Sequence, residues 1–219
     1  VKKWQLGGSY SSADERENIR AQMGVACDAF FYEDADGFVG FNVGRWIEPD
    51  VEIVDDDIIT ATFTEGQAGT DVKNAFSVEY TDPIIAYREN ASAPYVIDAP
   101  NEPYEEDSIS AYWIPNHNQA VRVGARLLKL ARAELKGSLL LKYQGARLME
   151  KRNFHLRFAE AGIVRAFEID KLTRNDDGIT WSVQCHSTSQ QEADPVVIEP
   201  TRPARTEIEV EDAIPAPTN

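Results

Sequence analysis

Asn118-Gln-Ala-Val-Arg-Val-Gly-Ala-Arg-Leu-Leu-Lys-Leu-Ala-Arg-Ala-Glu-Leu-Lys-Gly137 is the stretch from which the rest of the chain is read. Stepping about 100° per residue separates it into two faces. Ala120, Val123, Gly124, Leu127, Leu128, Leu130, Ala131 and Leu135 share one arc, and Arg122, Arg126, Lys129, Arg132 and Lys136 the opposite one. The pattern predicts an amphipathic helix over 118–136, about five turns long, with its apolar stripe on a core. Asn116 or Asn118 can cap its start, because a short amide side chain satisfies a free backbone N–H there. Lys136 suits the negative end, and Gly137 can take the left-handed conformation that stops the helix.

Strand patterns lie on both sides of this helix. Upstream, Ser12-Ala-Asp-Glu15 has the form of a capping box, and the helix it opens carries Ile19, Met23, Ala26 and Cys27 on one side. Ala29–Tyr32 and Phe38–Val43 read as a hairpin turned at Asp34-Ala-Asp-Gly37. Val51, Ile53 and Ile58–Phe63 read as short strands around Asp55-Asp56-Asp57, and Phe76, Val78 and Tyr80 mark a strand with one buried face. From 82 to 107 the periodicity fades among Pro83, Pro94, Pro100 and Pro103, which predicts a long loop. Downstream, four strands alternate, marked by Leu139/Leu141/Tyr143, Phe154/Leu156/Phe158, Phe167/Ile169 and Ile179/Trp181/Val183/Cys185. A helix followed by a strand meander fits an antiparallel barrel or sandwich with the helix packed across it, which makes the chain α+β and mostly antiparallel β. The expected divisions are 1–66, 67–190, and an acidic, proline-rich linker or tail over 191–219.

Charge is uneven along the 219 residues. The formal net charge is −15; residues 1–118 carry 7 Lys/Arg against 23 Asp/Glu, and residues 119–190 carry 13 against 7. An acidic total disfavours a nucleic-acid partner, since phosphate repels it. Polarised halves are suited instead to attracting each other or neighbouring subunits. The basic arc of the central helix (Arg122, Arg126, Lys129, Arg132) and the acidic knot Asp55, Asp56, Asp57 are therefore the candidate subunit interface. No apolar run approaches the ~20 residues that span a bilayer, so no membrane partner is expected. The chain begins with Val1, which suggests a piece of something longer.

Motifs for catalysis are sparse. His117, His155 and His186 lack metal-ligand spacing, and the latter two fall on the polar phase of strands, which predicts exposed structural histidines. Cys27 and Cys185 sit at core positions and read as buried free thiols. The 34–37 turn begins like a calcium loop but lacks its later ligands, and adjacent carboxylates at 55–57 point in different directions. Asn90-Ala-Ser92 fits a glycosylation pattern that arises often by chance. Trp46 and Trp113 are candidates for a carbohydrate groove, with packing the better reading. No catalytic, cofactor or metal residues are assigned.

Two stretches carry a family resemblance. One is Ala26-Cys-Asp-Ala-Phe-Phe-Tyr-Glu-Asp-Ala-Asp-Gly-Phe-Val-Gly-Phe-Asn-Val-Gly-Arg-Trp-Ile-Glu-Pro49, followed by Val51-Glu-Ile-Val-Asp-Asp-Asp-Ile-Ile59. The other is Asn74-Ala-Phe-Ser-Val-Glu-Tyr-Thr-Asp-Pro83 with the Ala125-Arg-Leu127 helix and its trailing strands. Over residues 4–190 they resemble the tail-hub proteins of long-tailed bacteriophages and prophages, among them lambda-type tail tip attachment proteins and contractile-baseplate hubs. The Pro-Gly-Asp strand entrance of that family is missing, and Ala146-Arg-Leu-Met-Glu-Lys-Arg152 stands in its place. The resemblance implies a non-enzymatic virion tail component with no cofactor, assembled in the bacterial host cytoplasm. It further implies two barrel-like or sandwich-like β domains, each with a packed helix, in a homotrimeric ring touching tail tube, tape-measure and fibre or receptor-binding proteins. The alternatives are a fragment of a tail-associated cell-wall-degrading enzyme and a carbohydrate-binding β module.

Overall fold

The computed structural model describes residues 4–34, 36–66, 72–100 and 102–194. Helix α1 (Arg16–Cys27) does not use the expected capping box. Ser11 N instead donates to Asp14 Oδ2 at 2.7 Å, so residues 11–14 form a turn of their own, and Glu15 precedes the helix without a side-chain cap. Asp28 ends α1 at φ 48°, a left-handed conformation that a short polar residue tolerates. Strands β1 (Phe30–Glu33) and β2 (Val39–Asn42) form the expected hairpin, and Asp34 Oδ1 holds its turn by accepting from Asp36 N and Phe38 N.

Strands β3 (Glu52–Val54) and β4 (Ile58–Glu65) flank a single 3-10 turn, Asp55–Asp57. Next come β5 (Ala75–Asp82), β6 (Arg88–Ala91), β7 (Tyr95–Val96) and β8 (Glu106–Ser110). The stretch expected as a long loop thus contributes short strands, which gather around β5. Helix α2 (His117–Ala131) is followed by β9 (Leu135–Leu141), β10 (Asn153–Phe158), β11 (Ile163–Arg174), β12 (Trp181–Ser187) and the short α3 (Gln190–Ala193). Residues 195–219 of the expected tail lie outside the described residues.

The central helix starts as expected, with Asn116 accepting from Asn118 N at 2.9 Å. It stops at Ala131, earlier than 136. Leu135 and Gly137 belong to β9, in phase at period two with the buried Leu139 and Leu141, so the expected helix takes in the head of a strand. Gly137 is no helix stop. A Cβ there would come within 2.5 Å of the Phe63 ring, and the missing side chain is what lets that ring lie across the strand.

Two cores result. Six strands in the order β3-β10-β11-β12-β9-β4 make a sheet that is antiparallel except at β3–β10 and curls into a half-barrel. The curl brings Phe63 of β4 to 6.2 Å from Phe158 and 5.8 Å from Phe167. Its inside is filled by Ile53, Leu139, Leu141, Phe154, Leu156 and Val183, among others. This sheet takes strands from both sides of residue 66. The smaller sheet, centred on β5, buries Phe76, Val78 and Tyr80 against Ala120, Val123 and Leu128 of α2. Gly124 permits the close approach, since a Cβ there would stand 3.1 Å from the Phe76 carbonyl oxygen. The fold is α+β and mostly antiparallel.

Candidate functional site

Between the two cores lies a cluster of buried charges. Glu168 is in the middle of Ala166-Phe-Glu-Ile169, a run of four buried residues on β11. Arg126 reaches it from α2 through Nη2, with Nε 3.2 Å from Asp28 Oδ2. Arg152, just ahead of β10, places Nε and Nη2 at 3.1 and 2.9 Å from Glu168 Oε1. Its Nη2 also lies 2.8 Å from Asp28 Oδ2, and its Nη1 donates to the Asp28 carbonyl at 2.7 Å. The left-handed end of α1 is what aims the Asp28 carboxylate at both guanidiniums. His186 on β12 completes the cluster, with Nδ1 2.8 Å from Asp170 Oδ1 and Nε2 3.8 Å from Glu168 Oε2.

The two carboxylates of the joint differ: burial pushes the Asp28 carboxyl above the ordinary carboxylate value, with Arg152 and Arg126 opposing it, so Glu168 is the firmer anion. Burial pushes the Glu168 carboxyl up, but Arg126, Arg152 and His186 outweigh it and hold it below the ordinary carboxylate value. At Arg126 burial works against the charge, and Glu168 and Asp28 more than offset it. Both Glu168 oxygens are engaged by guanidinium groups, which leaves neither open to a substrate. Removing one partner of such a buried set strands the others in a poor solvent, at a cost of about 3–5 kcal/mol.

The sequence-derived interface residues separate accordingly. Arg126 is 5% exposed and committed to this joint. Arg132 forms a bidentate pair with Glu102, at 2.8 and 3.0 Å, and donates to the Lys73 carbonyl. Arg122 lies over the Trp4 ring at 6.0 Å. Lys129 is half-buried and makes no ion pair among the described residues. Asp57 is buried, and its Oδ2 accepts from Val54 N at 3.1 Å. Asp55 accepts from Ala159 N and Glu160 N at 3.2 and 3.3 Å, while Asp56 is exposed. A wheel gives the direction of each side chain on α2 but not what lies beyond it, and α3 and β11 lie beyond Arg126. One signal was available for the joint: a glutamate embedded in an apolar strand.

Other motifs resolve into packing. His186 and His117 are buried, against the expectation of exposure at 186. β12 is covered on both faces there, by the half-barrel core and by the charged joint. His117 Nε2 accepts from Ala93 N at 3.3 Å. Asn90 Nδ2 donates to Tyr80 Oη and Asp82 Oδ2, and Ser92 Oγ is buried accepting from Val78 N, which ties both ends of the glycosylation pattern into the fold. Trp46 bonds Glu48, and Trp113 stacks on Tyr10. Cys27 and Cys185 are free and buried, and burial pushes both thiols up. Among the described residues no group of His, Cys, Asp or Glu is placed to hold a metal ion, and no helix is long and apolar enough to cross a membrane.

No protein-family model and no curated protein sequence matches this chain. Solved structures do. A chain in the virion of a native gene transfer agent particle superposes with a TM-score of 0.62 at 14% identity, over 84% of this chain and 42% of that one. The 43 kDa tail protein of prophage MuSo2 from Shewanella oneidensis gives 0.50 at 10% identity, over 85% of this chain and 56% of that one. At such identities the likeness is one of fold, and this chain spans about half the length of those it resembles.

Proposed function

We propose that this chain is a non-enzymatic structural component of a phage or prophage tail, forming part of the hub at the tail tip or baseplate. The observation that carries the reading is the superposition on a virion chain across 84% of its own length. A shared fold does not carry function by itself. It gains weight from the hub-like stretches at 26–59 and 74–83 and from charges that join two cores instead of lining a reactive cleft. In this reading the chain assembles as a homotrimer within the virion, against tail tube and fibre or receptor-binding proteins, after synthesis in the host cytoplasm. Asp56 and Lys129 remain the candidates for charged contacts between subunits, with Arg122 beside them.

The test is deletion of the encoding gene from its phage-like element, with electron microscopy and mass spectrometry of the particles. Tails lacking a finished tip, and the protein present in wild-type particles at a multiple of three copies, are the expected result. Complete tails without it would overturn the proposal. Clearing of a peptidoglycan gel by the purified chain would overturn its non-enzymatic part.

A further inference from the structure

Among the described residues, the outer edge of β1 and the far half of β11 pair with no strand, and both border one groove. On the hairpin, Asp34 N donates to the Phe38 carbonyl at 2.9 Å. Antiparallel bonding alternates, so with the observed register Tyr32/Gly40 and Phe30/Asn42 are the other bonded pairs. Phe31 and Glu33 therefore turn their backbone N–H and C=O groups away from β2, on the side where β1 pairs with no strand. The far half of β11 repeats the situation. Asn175 N donates to the Thr180 carbonyl, which makes Thr173/Ser182 and Lys171/Gln184 the bonded pairs with β12. Leu172 and Arg174 face the other way, past the point where β10 ceases to pair at Asn153/Glu168. Residues 30–34 and the 170–174 end of β11 are both walls of a groove of about 680 Å³.

We propose that this groove receives an extended polypeptide segment of a partner protein, which adds as a strand between β1 and the outer half of β11. Unpaired edges are templates for strand addition, and a guest lying between two of them satisfies backbone groups on both of its sides. The walls specify its side chains. Phe30, Leu172 and Trp181 offer apolar contacts for alternate residues. Asp34 is committed to its own turn, Asp170 to His186 and Arg174 to the Gly178 carbonyl. That leaves the exposed carboxylates of Glu33 and Glu150 against Lys171, so the complementary segment alternates apolar with basic residues. The inference goes beyond the tail reading and stands without it.

The test uses the full chain, isotope-labelled, with synthetic eight-residue probes at millimolar concentration. The first alternates Val with Lys. Two more carry N-methyl groups on the odd or on the even residues, and a fourth has Glu in place of Lys. Expected is at least tenfold slower amide exchange at Phe31, Glu33, Leu172 and Arg174 with the first probe. Either N-methyl series should abolish the effect, because a guest between two edges uses both sets of N–H groups. The exposed double variant E33K/E150K should weaken the Lys probe about tenfold and favour the Glu probe. No protection at the four amides overturns the proposal. So does a loss caused by only one N-methyl series, which would mean pairing with a single edge. An unchanged preference in the double variant would overturn the assignment of a basic segment.

Discussion

The half-barrel and the smaller sheet solve the same burial problem in different ways. The half-barrel closes largely on itself: its strands come from residues 52–65 and 135–187, and its curl lets β4 reach the aromatic rings of β10 and β11. The smaller sheet has too few strands to curl and relies on α2 as a lid over β5. One core is therefore assembled from distant segments, whereas the other comes mostly from the contiguous stretch 75–128. Neither is sealed from the other by apolar packing alone. Their seam is the joint of Asp28, Arg126, Arg152 and Glu168, in which two residues come from the helical side and two from the large sheet. Buried charge is a demanding way to join two bodies, since it tolerates little displacement before a partner is lost.

Breaking that seam should have the largest effect. Glu168→Ala leaves Arg126 and Arg152 buried with only Asp28 between them, and we expect about 3–5 kcal/mol of destabilisation in urea unfolding. If the seam couples the cores, the variant should also split one transition into two, followed on one side by fluorescence in a background with Trp4, Trp46 and Trp113 replaced by Phe, so that Trp181 alone emits, and on the other by helical circular dichroism. A single transition with an unchanged slope would show that the cores remain coupled without it. Next in size are matched cavities on each side. Leu139→Ala in the half-barrel and Leu128→Ala on α2, both fully buried, should each cost about 2–5 kcal/mol. The Leu128 variant should fall nearer the upper figure if the lid is less able to relax than a strand. Equal losses would remove that distinction.

A smaller effect sharpens the lid itself. Gly124→Ala adds a methyl group 3.1 Å from the Phe76 carbonyl oxygen, so α2 must move outward or β5 must give. Crowding of this kind costs about 1–3 kcal/mol, against a propensity gain of up to about 1 kcal/mol for replacing a helical glycine by alanine. Net destabilisation by thermal unfolding is the expected result. A stabilised variant would mean that the helix stands farther from the strand than the structure places it.

What could be read in advance follows the same division. Periodicity locates a buried face: it shows the alternation of β5, β9, β10 and β12 and places the start of α2 at 118, one residue after the observed His117. It does not say which segments share a sheet. Nothing local in Val51–Phe63 announces that β3 will pair with β10, more than ninety residues later, or β4 with β9. Leu135 satisfies the 100° and the 180° pattern at once, so the wheel alone does not separate the end of α2 from the start of β9. Arg126 and His186 occupy polar phases whose outer side happens to be covered by another layer. Such positions appear exposed whenever the covering element is remote in sequence.

The smallest effect concerns the acidic turn linking β3 to β4, on the half-barrel side of the comparison. Asp55 is held below the ordinary carboxylate value first by the Ala159 N–H, against the opposing effect of burial, and then by the Glu160 N–H. A group depressed in the folded state adds stability that is fully present above its ordinary value of 3.8 and is lost as pH falls through the lower folded one. Wild type should therefore exceed Asp55→Asn by a constant small margin from neutral pH down to about 4, and the margin should shrink at still lower pH. Because the turn at 159–161 joins β10 to β11, the margin should appear in the half-barrel transition and be absent from the α2 signal once the seam variant has separated the two. Urea melts of Glu168→Ala and Glu168→Ala/Asp55→Asn at several pH values measure this directly. A margin that moves both signals together would mean that the two cores communicate through more than their buried charges.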